Sequence, residues 1–312
     1  MTGKKVWGLK CVFALAMTGA FISCVHAQHP PLYSQYMFNT LPLNPAYTGS
    51  RDVLSVSALA RMQWVGFAGA PNTQTFSLHT PAKDPRNNFG IVAINDKLGV
   101  TWHTGVFGSY AFRFSISEKA RLAFGLQGGV SMYQDRWSRL SLTDSNDPNF
   151  IADSPMFIIP RAGFGIYLDH EKYYIGGSAP QLLRYQNPAL SMYNTNSMLY
   201  NHTFLSAGTV FRLNPDIKFR PSCMVRILKN SPVQYDINGT FIFREILWIG
   251  GSYRSMAAVV GMVELQVNPQ FRIGYSFDHA TTVMSRYNSG SHELFLRYEF
   301  GYTVRAMSPR YF

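Results

Sequence analysis

The sequence predicts an all-β fold: a single transmembrane antiparallel β-barrel of about fourteen strands. Three observations point there. Only 14% of the 312 residues are charged, against ~25% in ordinary soluble domains, while 46% are hydrophobic and 15% aromatic. Mean hydropathy is −0.06, and after residue 27 no apolar run approaches the ~18 residues of a membrane helix. From Val53 onward apolar and polar residues alternate with period two, the signature of strands with unlike faces. Three cysteines in such a chain exclude a disulfide scaffold.

The first element is residues 1–27. Lys4, Lys5 and Lys10 precede the apolar run Cys11 to Val25, and Val25-His26-Ala27 follows. That order predicts an export signal cleaved after Ala27. Lipoprotein processing at Cys24 is the alternative, but Phe21-Ile22-Ser23 before it is a poor lipobox. Cleavage after Ala27 removes three lysines and no acid, lowering the net charge of +11 to about +8.

Residues 28–52 form the second element. Pro30, Pro31, Pro42 and Pro45 stand among Tyr and Asn, so the stretch reads as an irregular, ordered strap. Two roles are open to it. It plugs or braces the barrel mouth or docks a partner on the periplasmic side, or it is a packing strap with no partner. The candidate residues are Tyr33, Gln35, Tyr36, Phe38, Asn39, Asn44, Pro45, Tyr47 and Gly49.

Residues 53–312 form the barrel. Strands are predicted at 53–61, 72–80, 88–95, 101–114, 119–133, 160–169, 173–179, 201–213, 217–228, 233–243, 246–254, 256–266, 269–278 and 292–302. In the last, Leu294, Leu296, Tyr298 and Phe300 share one face, while Glu293, Phe295, Arg297 and Glu299 share the other. Connections after even-numbered strands are short, as periplasmic turns should be. The long ones, 134–159, 180–200 and 279–291, follow odd-numbered strands. The turn 81–87 is somewhat long for that scheme. A soluble sandwich would need charged outer faces, which 14% charge does not supply. In a barrel the apolar face meets lipid, and Ser, Thr, Gln, Asn and Arg line the interior.

From residue 28 onward there are 19 Arg and 6 Lys. Arg suits bidentate pairing with carboxylate or phosphate. Arg113, Arg212, Arg226, Arg254, Arg272 and Arg297 are expected in the lumen or at the membrane edges, paired with Glu264, Glu293 and Glu299. A second reading places arginines against lipopolysaccharide phosphates at the outer rim. Nucleic acid is not expected as a partner, because the basic residues are spread through the strands.

No nucleophile-elbow, zinc-protease, phosphate-loop or dinucleotide-binding pattern occurs. Asp144 to Asn149 with Asp153 is dense in oxygen ligands, but Pro148 breaks the calcium-loop register and a solvated loop is expected. Of the histidines on strands, His79, His103 and His202 are read as hydrogen-bonded structural groups. Ser291-His292-Glu293 is the nearest local triad, and adjacent strand residues point to opposite faces. No catalytic residue, cofactor or metal is expected.

The chain also resembles a known family. The ordered series Tyr33-Ser34-Gln35-Tyr36-Met37-Phe38-Asn39, Asn44-Pro45-Ala46-Tyr47-Thr48-Gly49-Ser50, Arg61-Met62-Gln63-Trp64-Val65-Gly66 and Gly69-Ala70-Pro71-Asn72-Thr73-Gln74 is similar to the PorP/SprF family. Leu247 to Arg254, Ser289 to Glu293 and Pro309 to Phe312 extend the likeness along the chain. The resemblance implies an outer-membrane component of the type IX protein secretion system of Bacteroidetes, with the length of its PorP branch. It implies no catalytic residues. The partners it implies are other secretion components, periplasmic or lipoprotein subunits, and secreted cargo, with outer-membrane lipid or lipopolysaccharide around the wall. A passive solute channel and a barrel phospholipase are the alternatives.

Overall fold

The computed structural model describes residues 33–140, 152–182, 202–228 and 231–301. Its wall begins with β1 (Leu54–Met62), β2 (Asn72–Pro81), β3 (Asn87–Leu98), β4 (Thr101–Ser115), β5 (Ala120–Asp135), β6 (Phe157–His170) and β7 (Tyr173–Ala179). It continues with β8 (His202–Thr209, resumed at Phe211–Arg212), β9 (Ile217–Leu228), β10 (Gln234–Phe243) and β11 (Leu247–Arg254). β12 (Ala258–Gln266), β13 (Phe271–Ala280) and β14 (Ser291–Phe300) complete it. Each strand pairs antiparallel with the next, and β1 pairs with β14 from Leu54↔Phe300 to Met62↔His292. The sheet therefore closes on itself as a fourteen-strand barrel. In lipid that closure matters, because a closed ladder leaves no edge with unpaired N–H and C=O groups.

The break in β8 has a local cause. Gly208 pairs with Ser222 and Arg212 with Lys218, so both pieces keep one register along β9. The gap lies opposite Arg220 and Pro221, and proline has no N–H for the ladder. The two pieces count as one strand of the wall.

The expected strand positions hold, with boundaries differing by a few residues. β3 runs to Leu98 rather than 95, and β6 starts at Phe157 rather than 160. The second turn shrinks to 82–86, because Pro81 still pairs with Asn88 and Asn87 N–H bonds the Asp84 carbonyl at 2.9 Å. All even-numbered connections are thus short, and the longest ones, 136–156, 180–201 and 281–290, follow odd-numbered strands. The barrel has a short-turn end and a long-loop end.

Side chains sort by parity. On β10, Tyr235, Ile237 and Phe241 face outward and are exposed, while Asp236, Asn238 and Thr240 face inward and are buried. The expected inward arginines Arg113, Arg226, Arg254, Arg272 and Arg297 are buried, and Arg212 is exposed at the short-turn edge. Their carboxylates differ from expectation. Of the pairs anticipated, only Arg272–Glu264 forms, at 3.4 Å. Arg113 faces Asp169 at 3.4 Å and Arg254 faces Asp236 at 3.0 Å. Glu293 and Glu299 go instead to Arg61 and Arg51. The interior is also less polar than expected: Leu59, Val92, Phe107, Ile242, Trp248 and Phe295 all point inward and are buried.

The lipid-facing assignment is testable at Val263, outward in mid-β12 between Ile249 and Tyr275. Val263→Arg is expected to destabilise the barrel by about 2–4 kcal/mol, as for a cation at mid-bilayer depth, read by urea unfolding in lipid vesicles. A change near zero would place that face outside the membrane.

Candidate functional site

The inward apolar residues are covered by the segment Tyr33 to Arg51, which runs inside the wall. A chain with no strand partner must satisfy its own backbone polar groups, and this one does so through consecutive turns. Phe38 N–H bonds the Gln35 carbonyl at 2.9 Å, and Leu43 N–H that of Thr40 at 3.0 Å. Pro45–Tyr47 form a short 3-10 turn capped by Asn44, whose side chain accepts from Ala46 N–H at 2.9 Å. Pro45 fits there because the first position of a helical turn needs no N–H.

The strap descends from the long-loop half of the barrel to the short-turn end. At its upper end the Ser34 and Gln35 N–H groups donate to the two oxygens of Glu293 at 2.8 and 2.7 Å. Arg61 pairs with Glu293 at 3.0 Å and with Asp278 at 2.6 Å, and Ser34 Oγ donates to Asp278 at 2.6 Å. Arg254 pairs with Asp236 and donates to the Tyr33 carbonyl at 3.2 Å. Two guanidinium groups thus serve three carboxylates, and the strap supplies further donors. Glu293 is fully buried at 0% exposure. A buried carboxylate survives only with such pairing.

Midway, the Tyr36 hydroxyl accepts from Asn238 at 2.6 Å and Asn39 accepts from Ser77 at 2.9 Å. Phe38 meets Trp248 edge-on at 5.8 Å, and Arg220 lies 4.7 Å over Phe38 and 5.0 Å over Trp248. A cation on the electron-rich face of an aromatic ring is favourable once both are desolvated. Lower down, Tyr47 sits edge-on to Tyr167 at 5.5 Å and to His79 at 5.7 Å. Gly49 N–H donates to His79 Nδ1 at 3.1 Å, and its carbonyl accepts from Arg113 at 3.3 Å. Arg51 pairs with Glu299 at 2.6 Å, and Arg121 bridges Asp52 and Asp169 at 2.8 and 3.0 Å.

The wall is shaped to admit this segment. A Cβ on Gly125 would run into the backbone of Pro45 and Ala46, and one on Gly165 into Asn44. Backbone cannot step aside as a flexible side chain can, so glycine at 125 is a condition of the strap's path. Tyr33, Gln35, Tyr36, Phe38, Asn39, Asn44, Pro45, Tyr47 and Gly49 are all buried inside the barrel. None lies on an outer surface. The receiving residues Glu293, Arg61, Asp278, Trp248 and Gly125 were not singled out from sequence as its partners. The available signal was Phe295, an aromatic on an otherwise charged face.

A family model described as type IX secretion system membrane protein PorP/SprF matches residues 25–298. The chain belongs to that family. The PorP/SprF match takes in the whole described strap and runs to Tyr298 in β14, so strap and wall lie within one family pattern. No curated protein matches the chain by sequence. Among solved structures it is similar to outer membrane protein Omp33 of Acinetobacter baumannii, at 9% identity over 80% of this chain and 98% of that one, with TM-score 0.47. A Pseudomonas aeruginosa FadL homologue gives 11% identity over 87% and 95%, with TM-score 0.45. The KdgM porin gives 9% over 79% and 99%, with TM-score 0.36. Likenesses this distant decide nothing about function, and the closed ladders alone establish the fold.

The remaining sequence candidates do not assemble a reactive centre. Ser291 and Glu293 point inward, while His292 points outward to Tyr275, whose hydroxyl lies 2.6 Å from its Nδ1. His103 stacks on Tyr133 at 4.3 Å. Residues 144–149 lie outside the described residues. Asp153 accepts from Ser138 N–H at 3.0 Å, and no metal-ligand cluster occurs among the described residues.

Glu293→Ala should leave Arg61 buried beside one carboxylate fewer and free two strap N–H groups. The expected loss is about 3–5 kcal/mol, measured by urea unfolding in vesicles. Gly125→Leu should displace the strap while the wall still closes, read as new protease cleavage within 33–51 in a protein whose gel mobility stays heat-modifiable.

Proposed function

We propose that this outer-membrane barrel is a non-enzymatic component of type IX protein secretion that works by binding other parts of the machine, cargo, or both, and that its strap keeps the barrel closed and braced. The observation that carries the reading is the occupied interior. Strap side chains cluster with inward residues of strands on opposite sides of the wall, from Leu59 of β1 and Trp248 of β11 to Phe107 of β4 and Tyr174 of β7. A barrel so filled is a poor conduit for protein. Even unfilled, its fourteen strands enclose less than the sixteen to eighteen of a porin, whose channel passes only small solutes.

The nine strap residues then act from within, by holding the shape of the ends where partners dock. With short turns in the periplasm, the usual arrangement for single-chain barrels, those ends are the periplasmic turns and the extracellular loops. Tyr33 lies in the half nearer the loops, on the level of Thr75, Arg61 and Glu293. The strap thus enters its path from the outer side.

Deletion of 33–50 with the export signal retained should leave the barrel inserted, abolish secretion of cargo with C-terminal sorting domains, and open an ion-conducting pore in planar bilayers. Wild-type protein should conduct little. Steady wild-type conductance together with unchanged secretion in the deletion would favour a solute channel. Pull-down from solubilised outer membranes should recover secretion components with wild type and fewer with the deletion.

An epitope inserted directly before Tyr33 should be labelled by antibody on intact cells. Labelling only after the outer membrane is permeabilised would reverse the strap's direction relative to the membrane.

A further inference from the structure

On the outer face of β3–β5, at the long-loop rim, three cations gather round one tryptophan. Lys97 pairs directly across from Trp102, and Trp102 across from Gln134. Parity sends Lys97 to the side of the exposed Ile91, Trp102 to that of Val106, and Arg136 to that of Val130. Arg136 lies 4.2 Å over the Trp102 ring, Lys97 at 5.6 Å and Arg139 at 5.8 Å. Gln134 steadies Arg136 by accepting from its Nε at 3.3 Å, and the 3-10 turn Trp137–Arg139 sets the second guanidinium.

Among the described residues, none of these three cations forms an ion pair. Ser138, and then Arg136 and Arg139, hold Asp153 below the ordinary carboxylate range. Asp96 and Asp135 are committed to Thr73 and Thr101 at 2.5 and 2.6 Å. The Trp102 indole N–H is covered and has no acceptor among the described residues. Like charges held this close repel unless an anion lies among them.

A second feature lies on β2–β5, from mid-wall toward the short-turn end. An open groove of about 600 Å³ is lined by Leu78 and Thr80 of β2 together with Phe89, Ile91, Gly108 and Gly128. Gly108 and Gly128 pair across β4 and β5, and no atom would meet a Cβ on Gly128. Missing side chains leave a trough in the lipid-facing wall. Gly108 is six residues along β4 from Trp102, about 20 Å of strand.

We propose that this face binds a phosphorylated glycolipid of the outer leaflet. Its phosphate is held by Lys97, Arg136 and Arg139, and an acyl chain lies in the trough at Gly108 and Gly128. Guanidinium groups suit phosphate because they present paired donors, and the cluster points toward lipid rather than into the lumen. The site is independent of the secretory role.

The test is native mass spectrometry of the full-length protein in mild detergent, titrated with lipid A carrying two, one or no phosphates, and separately with inorganic phosphate. Bisphosphorylated lipid A should bind, with about tenfold or greater weakening on removing its phosphates or in the triple variant Lys97→Gln, Arg136→Gln, Arg139→Gln. Gly128→Leu should weaken every lipid form by filling the trough. Arg139→Gln alone, with heat-modifiable gel mobility as the folding check, should give a smaller loss in the same direction. Equal binding of phosphorylated and phosphate-free lipid, or wild-type affinity in the triple variant, would overturn the proposal. Displacement of lipid by millimolar inorganic phosphate would overturn it too, assigning the cluster to a free anion.

Discussion

Everything in this molecule depends on the seam between β1 and β14. Until Leu54 to Met62 pairs with His292 to Phe300, two strands present unpaired backbone groups that hydrocarbon cannot satisfy. The same seam carries a heavily shared interior contact. Arg61 and Glu293 stand opposite each other in the ladder and form an ion pair across it, and Glu293 also receives two N–H groups of the strap. Wall closure and strap seating are thus joined at one carboxylate. Packing and electrostatics act in the same place, because charges removed from water at the seam are matched by partners that only the closed form brings together.

The strap explains why the interior departs from the usual alternation. A water-filled lumen would favour polar side chains at every inward position, yet Phe107, Trp248, Ile242 and Phe295 point inward and are buried. Each lies against strap residues such as Phe38, Leu43 or Tyr47 in one of two apolar clusters. Beside those clusters lie buried arginines with carboxylate or aromatic partners, such as Arg61, Arg220 and Arg254. Glycines at 125 and 165 set how closely the strap approaches the wall. The result is a barrel whose core is built by its own leading segment, where a larger barrel would hold a solvent channel.

Much of this was legible in the chain. β7 and β9 have the bounds read from sequence, 173–179 and 217–228, because turn residues such as Asn214 and Pro215 flank clean alternation. The parity of short and long connections gave the two ends of the barrel. β8 was read as one strand, correctly for the wall, although the effect of Pro221 on its neighbour appears only once the two are paired. The arginine partners were misassigned for a similar reason. Arg51 and Arg61 were passed over, since partnership across the barrel depends on which strands face each other over the lumen and on what lies between them, which strand-by-strand periodicity does not encode.

By itself the sequence determined the class of the fold, the sidedness of each strand and the family pattern, since these rest on local alternation, low charge and short ordered motifs. Only the tertiary structure decided that residues 33–51 lie within the cylinder, in what direction they run, and that Glu293 and Gly125 receive them. The physical reason is distance along the chain. Ser34 and Glu293 are 259 residues apart, and nothing local to either selects the other until the sheet has curved round and closed.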